Sequence, residues 1–106
     1  LYWEIDDVAV KKDFLNRITT QLGPIGLKEM LNHVDYIVER IGVDHVGIGT
    51  DFNHGSGIEG FDDASEALNV TIELLKRGYS EEDIIKIWGG NFMRVWRAAE
   101  KATDQI

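Results

Sequence analysis

The sequence predicts an α/β unit that is mostly helical, with one buried strand at residues 43–50. From Leu27 to Ile41, apolar residues recur every three or four positions, as they do on one face of a helix. After Gly42 the pattern changes to the short apolar run of a strand, which ends on Asp51 before a glycine-rich loop. α/β enzymes place their chemistry at the C-terminal ends of strands, so Asp51 is the first candidate for a functional residue.

Length, charge and cysteine content limit the class of protein. The 106 residues suffice for one small domain, whereas a complete (β/α)8 barrel needs about 250. The formal charge of −8 argues against a nucleic-acid or anionic-membrane partner, because both require a basic face. There is no cysteine for a disulfide or a thiolate metal site. No apolar run approaches the roughly 18 residues of a membrane span.

Residues 1–106 are treated as a single segment with two parts, a less regular arm at 1–26 and a regular region at 27–100. Pro24 lies in the turn that separates them. The first residue is Leu1, and we expect a fragment of a longer protein; the alternatives are a purification tag that was removed or a disordered start. Within the arm, a helix is predicted after Asp6 or Asp7 as N-cap. Its apolar face consists of Val8, Phe14, Leu15 and Ile18.

Three further helices are predicted after the loop at residues 52–61. Asp63 and Glu66 have the spacing of a capping box, and the helix that they open ends near Arg77 before Gly78. Its inward residues are predicted to be Ala64, Leu68, Ile72 and Leu75. The second of these helices, residues 81–88, has Ser80 and Asp83 as its cap, and Gly89-Gly90 is predicted to break the chain before Asn91 caps the last one.

A single predicted strand raises a physical problem. Its backbone N–H and C=O groups need partners on at least one side, and one strand cannot supply them. Either more sequence or a second copy of the chain is therefore expected beside residues 43–50. If the helices belong to a larger barrel, they would expose apolar faces when alone, so self-association or partial disorder of the isolated chain is predicted.

Several blocks of the sequence resemble the C-terminal part of the renal, or membrane, dipeptidase family of zinc peptidases. The similarity covers residues 27–100, in the family's order and spacing. Its blocks are Leu31-Asn32-His33-Val34-Asp35-Tyr36-Ile37-Val38, Gly42-Val43-Asp44-His45-Val46-Gly47-Ile48-Gly49-Thr50-Asp51-Phe52, Leu74-Leu75-Lys76-Arg77-Gly78-Tyr79-Ser80-Glu81-Glu82-Asp83-Ile84 and Gly89-Gly90-Asn91-Phe92-Met93-Arg94-Val95. Four blocks in register are far more specific than any one of them.

The resemblance implies a fold and a function. Family members are (β/α)8 TIM barrels of the amidohydrolase type that hold two zinc ions and hydrolyse dipeptides. Residues 43–50 would then be the last barrel strand. Asp51 would lie beside the metal pair, contact the amino group of a small peptide substrate and handle the proton of the attacking water. A carboxylate beside an activated water is suited to that proton transfer.

The resemblance also leaves gaps. The family's metal ligands lie upstream of the matching region, so no metal ligand is assigned to this chain. His33 and Asp35 have a ligand-like spacing, but positions i and i+2 of a helix point to different faces. The family often has a second aspartate and a glycine two and three positions after the first; Asn53 and His54 stand there. Both are assigned to substrate binding together with Asp51.

Each of these residues also has a purely structural interpretation. Asp51 would cap the following turn, as aspartate often does, and His54 would be a solvated loop residue. His45 and His33 are expected to hydrogen-bond within the scaffold. Two functional alternatives follow from the same observations. One is a related barrel that has lost peptidase activity and has a biosynthetic or binding role, and the other is a free-standing module that forms a homo-oligomer through its lone strand.

Overall fold

The computed structural model describes residues 4–23, 25–54 and 56–105, without the side chain of His54, so the predicted turn at Pro24 lies outside the described residues. The described residues form five α-helices, and 3-10 turns at Val43–His45, Phe52–His54 and Ala64–Glu66 lie in the long connection between the second and the third helix. The helices are α1 (Val8–Leu22), α2 (Leu27–Ile41), α3 (Ala67–Lys76), α4 (Glu81–Ile85) and α5 (Asn91–Asp104). None of them combines the length and the hydropathy that crossing a membrane requires.

The predicted helix ends are confirmed where they depend on local hydrogen bonds. The Asp7 carboxylate accepts a 3.0 Å hydrogen bond from the Val10 N–H at the start of α1, and the Ser80 hydroxyl accepts one of 3.1 Å from the Asp83 N–H before α4. Helix α2 ends at Gly42, whose φ of 94° is easily adopted only by glycine. The capping box at Asp63 is altered: Asp63 accepts from the Ser65 N–H, while Glu66 accepts from the Asp62 N–H.

The core lies between α2, α3, α4 and the turns that join them. Its buried side chains are Leu31, Val34, Val46, Phe61, Val70, Leu74, Ile84 and Ile87. The predicted inward face of α3 is wrong, because Leu68, Ile72 and Leu75 are exposed and Val70 and Leu74 are buried instead. Apolar residues surround this helix, so periodicity alone does not decide which side meets α2.

The predicted strand at residues 43–50 does not form within the described residues. Val43–His45 is a 3-10 turn, and the extended segment, residues 46–50, begins with extended dihedral angles at Val46 (φ −126°, ψ 146°) and is not paired in a sheet among the described residues. A strand is defined by hydrogen bonds to a neighbour, and among the described residues the β-type contact is one parallel bridge between Gly26 and Glu59. The extended conformation predicted for this strand is confirmed at Val46, and a sheet partner for it is absent among the described residues.

The predicted chain break at Gly89-Gly90 is also wrong. Helix α4 continues through a π-helical turn, Lys86–Gly90, directly into α5. Asn91 has helical dihedral angles (φ −64°, ψ −46°) and is 5% exposed, so it lies inside the helical run and not at a cap. Glycine fits position 90 best, because a Cβ atom there would come within 3.2 Å of the Ile85 carbonyl oxygen, a tight contact.

Helix α1 forms but contributes nothing to this core. None of its residues is buried, and Val8 and Leu22 are 79% and 67% exposed. The residues predicted for its apolar face, among them Phe14 and Leu15, do lie on this helix. However, Val8, Phe14 and Leu15 of that face are 40–79% exposed. Burial of an amphipathic face, not intrinsic propensity, supplies most of the stability of such a helix.

Candidate active site

The segment that leads to Asp51 is fixed to the start of α5 by the side chain of Asn91. The Asn91 Nδ2 atom donates to the carbonyl oxygens of Val43 and Val46, at 2.7 and 2.9 Å. Both hydrogen atoms of the amide are therefore used on residues close to the turn that leaves α2. Since Asn91 and Val46 are buried, these hydrogen bonds satisfy carbonyl groups that would otherwise be costly to desolvate.

The side chains of Arg94 and Lys86 bind the 3-10 turn Val43–His45 at Asp44. The Arg94 Nη1 atom donates to the Asn91 Oδ1 atom at 2.9 Å, and its Nη2 atom donates to the Asp44 carbonyl oxygen at 2.6 Å. The Lys86 ammonium lies 3.0 Å from the Asp44 carboxylate. Its hydrogen bond and its charge hold the pKa of Asp44 below the ordinary value. Polar groups from one helical run thus surround residues 43–46.

The π-helical turn contributes a backbone contact. The Ile48 N–H donates to the Ile87 carbonyl oxygen at 3.2 Å, which ties the extended segment to the wider turn. Such turns arise mostly as single insertions in α-helices and are frequent at functional sites. Beneath this contact lies an apolar cleft of about 550 Å³. It is lined by Gly47, Ile48, Gly49, Ile87, Trp88, Gly89, Phe92 and Met93.

Asp51 occupies the end of the extended segment in a strained conformation. Its φ of 51° places it in the left-handed region, and it is the non-glycine residue with positive φ among the described residues. Aspartate tolerates this region better than most residues, but the conformation still costs on the order of 1 kcal/mol. The side chain is exposed. No hydrogen bond or ion pair within the described part of the chain uses its carboxylate.

The residues after Asp51 are held by aromatic packing. The Phe52 ring meets the Phe61 ring edge-on at a centroid distance of 5.0 Å, and Phe61 meets Trp88 in the same way at 6.1 Å. The Trp88 indole N–H donates to the Thr71 hydroxyl at 2.9 Å. Asp51 therefore lies between two attachments, one through the Ile87 carbonyl and one through the neighbouring Trp88 ring.

Polar groups of the loop at residues 56–61 are hydrogen-bonded within the loop and to the residues before α2. The Ser56 hydroxyl donates to the Phe61 carbonyl oxygen and accepts from the Ile58 N–H at 3.0 Å. The Glu59 N–H donates to the Ile25 carbonyl oxygen at 3.2 Å, and the Leu27 N–H donates to that of Glu59 at 2.9 Å. The loop is thereby attached to the start of α2.

The predicted site residues share one turn. Asn53 is exposed in the 3-10 turn Phe52–His54, two positions after Asp51. The backbone of His54 belongs to the same turn, and its side chain lies outside what is described. His33 and His45 are exposed elsewhere. Within residues 4–23, 25–54 and 56–105, no three His, Asp or Glu side chains are grouped closely enough to hold a metal ion.

Asn91 and Arg94 were not predicted from the sequence as residues of this site. Their block, Gly89-Gly90-Asn91, has the composition of a chain break followed by a helix cap, and that interpretation hid the helical continuation. The available signal was indirect. A lone strand has unpaired carbonyl groups, and an asparagine beside it has the donors to pair with them.

A second polar concentration, the Arg77 cluster, consists of Arg77, Asp35, Tyr79, Glu73 and Asn32. The guanidinium of Arg77 donates to Asp35 at 2.6 Å, to Asn32 at 2.9 Å and to Glu73 at 3.2 Å. The Tyr79 hydroxyl donates to Asp35 at 2.6 Å. Burial lowers the pKa of Arg77, but the hydrogen bonds and charges of the two carboxylates outweigh it and leave this pKa above its ordinary value.

Dipeptidases are among the known proteins that are similar to this chain. The model of the membrane dipeptidase family (peptidase family M19) matches residues 8–106. Dipeptidase ataJ of Aspergillus terreus is 46% identical over 72 residues, which cover 67% of this chain and 18% of that protein. Dipeptidase verJ of Clonostachys rogersoniana is 36% identical over 97 residues, which cover 88% of this chain and 24% of that protein.

One solved structure shares both sequence and fold with this chain. The crystal structure of the probable dipeptidase PvdM from Pseudomonas aeruginosa is 57% identical and matches with a TM-score of 0.65, covering 68% of this chain and 18% of that one. This chain therefore spans less than a quarter of the length of these relatives.

Proposed function

The chain belongs to the membrane dipeptidase family, as its sequence predicted, and from this membership we propose that it is part of a zinc-dependent dipeptidase. The whole enzyme would hydrolyse dipeptides or related small amides, and this chain would supply one part of its active site. Residues 43–50 would pair with neighbouring strands as the last strand of a TIM barrel. That pairing would satisfy the backbone groups that have no sheet partner among the described residues.

Asp51 is the residue to which we assign chemistry. One observation carries this assignment: Asp51, at the end of the extended segment, has a strained left-handed backbone and an exposed carboxylate that no other described residue binds. Strain of this kind persists only where the surroundings impose it, and it concentrates at functional sites. The Asp51 carboxylate would bind the substrate's ammonium group. It would also accept the proton of the attacking water and return it to the nitrogen of the leaving amine.

Asn53 and His54 would form the substrate-binding surface next to Asp51. Asn53 is exposed on the same turn, so its amide can reach a group that binds beside the Asp51 carboxylate. A neutral amide at this position leaves Asp51 as the nearby acid and favours substrates with one ammonium group. The imidazole of His54 would contribute a donor or an acceptor to the substrate's carboxyl-terminal part.

No ligand of the two zinc ions expected from the family is assigned to this chain. The described residues offer no group of three donor side chains, so they do not fit the metal site, and we assign no step of the reaction to zinc here. The ligands would come from other parts of the enzyme. We therefore expect the isolated 106-residue chain to be inactive, and activity requires the full-length gene product that contains this sequence.

The test replaces Asp51 in that full-length product. Asp51→Asn keeps the size of the side chain and removes its charge and basicity, so kcat/KM for an unsubstituted dipeptide should fall by roughly 10²–10⁴-fold. Asp104→Asn, at an exposed position on the last turn of α5, is the matched control and should leave kcat/KM unchanged. Full turnover by Asp51→Asn would remove Asp51 from the chemistry. A wild-type enzyme that holds zinc but cleaves no dipeptide would favour the non-peptidase alternative.

A further inference from the structure

We propose that Asn91 and Arg94 are positioning residues, which together set the location of the Asp51 carboxylate. The inference rests on the proposed function, because it concerns the geometry of the same site. Neither residue touches Asp51. They act on the segment that carries it, through carbonyl groups that these two side chains bind.

The two side chains bind three of the four carbonyl groups between residues 43 and 46. Asn91 binds those of Val43 and Val46, and Arg94 binds that of Asp44. Arg94 also donates to the Asn91 Oδ1 atom, which fixes the orientation of the amide so that both Asn91 hydrogens face the segment. The pair works as one unit, since the Asn91 amide can be oriented only while its oxygen has a donor.

The attachments continue from this pair toward Asp51. Asn91 and Arg94 belong to the same helical run as Ile87, whose carbonyl oxygen receives the Ile48 N–H, and Trp88, whose ring supports Phe61 and then Phe52. Asp51 is thus bracketed by contacts that all originate in residues 87–94. A strained φ of 51° needs such attachments on both sides, because a free segment would relax into an ordinary extended conformation.

Arg94 can be tested separately from the stability of the core. Its side chain is exposed, whereas Asn91 is buried, so a change at Arg94 leaves the packing intact. The role depends on the planar fork of the guanidinium, because Nη1 binds Asn91 and Nη2 binds Asp44. Lysine keeps the charge but has a single nitrogen and cannot hold both acceptors in the same geometry.

The experiment measures Arg94→Lys in the full-length gene product, with Arg97→Lys as matched control. Arg97 lies on the same helix and is exposed. We expect kcat/KM for a dipeptide to fall about tenfold in Arg94→Lys and to stay within about twofold in Arg97→Lys, since small displacements of a catalytic group are costly. In an Asp51→Asn background, Arg94→Lys should lower kcat/KM less than twofold, because residues that act as a unit are not additive.

The outcomes separate this inference from the proposed function. If Asp51→Asn retains full turnover, the proposed function fails and the inference fails with it. If Asp51→Asn is impaired but Arg94→Lys is as active as Arg97→Lys, the positioning role alone is wrong. An equal tenfold loss in both backgrounds also overturns it, because Arg94 would then act independently of Asp51.

Hydrogen exchange supplies a readout that does not depend on turnover, and it decides the case if Asp51→Asn has no measurable activity. In Arg94→Lys, backbone amides of residues 44–52 should exchange at least about tenfold faster, while those around Arg77 stay unchanged. Local opening of one contact releases only the segment that it holds. Unchanged exchange at residues 44–52, or faster exchange throughout the chain, would contradict the inference.

Discussion

The Arg77 cluster and the turn that carries Asp51 place carboxylates in opposite surroundings. Asp35, in the cluster, accepts hydrogen bonds from Arg77 and Tyr79, and each of the polar side chains around it has a partner. Asp51 has a strained backbone and a carboxylate that no other described residue uses. Paired carboxylates of the first kind are expected to contribute to stability, whereas the exposed and strained Asp51 carboxylate has no contact within the described residues, and we propose that it binds a ligand.

The comparison predicts the largest loss of stability at Arg77. Arg77→Met keeps much of the apolar stem and leaves Asp35 and Glu73 without their cation, which should lower the free energy of unfolding by about 2 kcal/mol. The value is below that of a fully buried pair because the Asp35 side chain is 36% exposed. Equilibrium urea unfolding of the full-length gene product measures it, with Arg97→Met as control. A loss under about 0.5 kcal/mol would mean that the cluster does not join α2 to α3 energetically.

Tyr79 tests the same cluster with a smaller effect. Tyr79→Phe removes the hydrogen bond to Asp35 and should lower the free energy of unfolding by about 1 kcal/mol at neutral pH. Tyr36→Phe is the control, because Tyr36 is 57% exposed and packs against Arg40 at the surface. An equal effect of the two substitutions would assign the loss to the ring and not to the hydroxyl.

The Tyr79 hydroxyl also predicts a pH dependence. Burial, and after it the hydrogen bond to the Asp35 carboxylate, raises the pKa of Tyr79 above its ordinary value of about 10. The unfolded chain releases this proton near pH 10, while the folded chain retains it to higher pH. The folded state then binds more protons, so its stability falls as pH rises beyond about 10. The difference in the free energy of unfolding between wild type and Tyr79→Phe should therefore decrease above that pH. A difference that stays constant up to pH 11.5 would contradict this prediction.

The elements that the sequence predicted correctly are those set by neighbours along the chain. Helix α2 with Gly42 at its end and the Ser80 cap each depend on residues a few positions apart, and periodicity or side-chain type reveals them. The position of Asp51 at the end of an extended segment was predictable for the same reason. Its positive φ was not, because the contacts on either side of it, such as the one between Ile48 and Ile87, join residues that are distant in the sequence.

The features that sequence analysis missed join distant residues. Arg77 and Asp35 are 42 positions apart, and Asn91 and Val43 are 48 positions apart. No local pattern contains such pairs. Gly89-Gly90 has the composition of a break, yet the helical run passes through it as a π turn that brings Asn91 to the segment. The strand at residues 43–50 failed for a related reason, since its existence depends on a partner outside its own sequence.

The smallest effect on stability is expected where the effect on activity is largest. Asp51→Gly removes the carboxylate and relieves the strain at φ 51°, while glycine gives the unfolded chain extra conformational freedom. These two contributions oppose each other at about 1 kcal/mol or less, so the free energy of unfolding should change by under about 0.5 kcal/mol while dipeptide turnover is lost. Urea unfolding and kcat/KM on the same preparation measure both quantities. If Asp51→Gly lowered the free energy of unfolding by about 2 kcal/mol, like Arg77→Met, the Asp51 carboxylate would be stabilising its turn as a cap. Both regions would then contribute to stability.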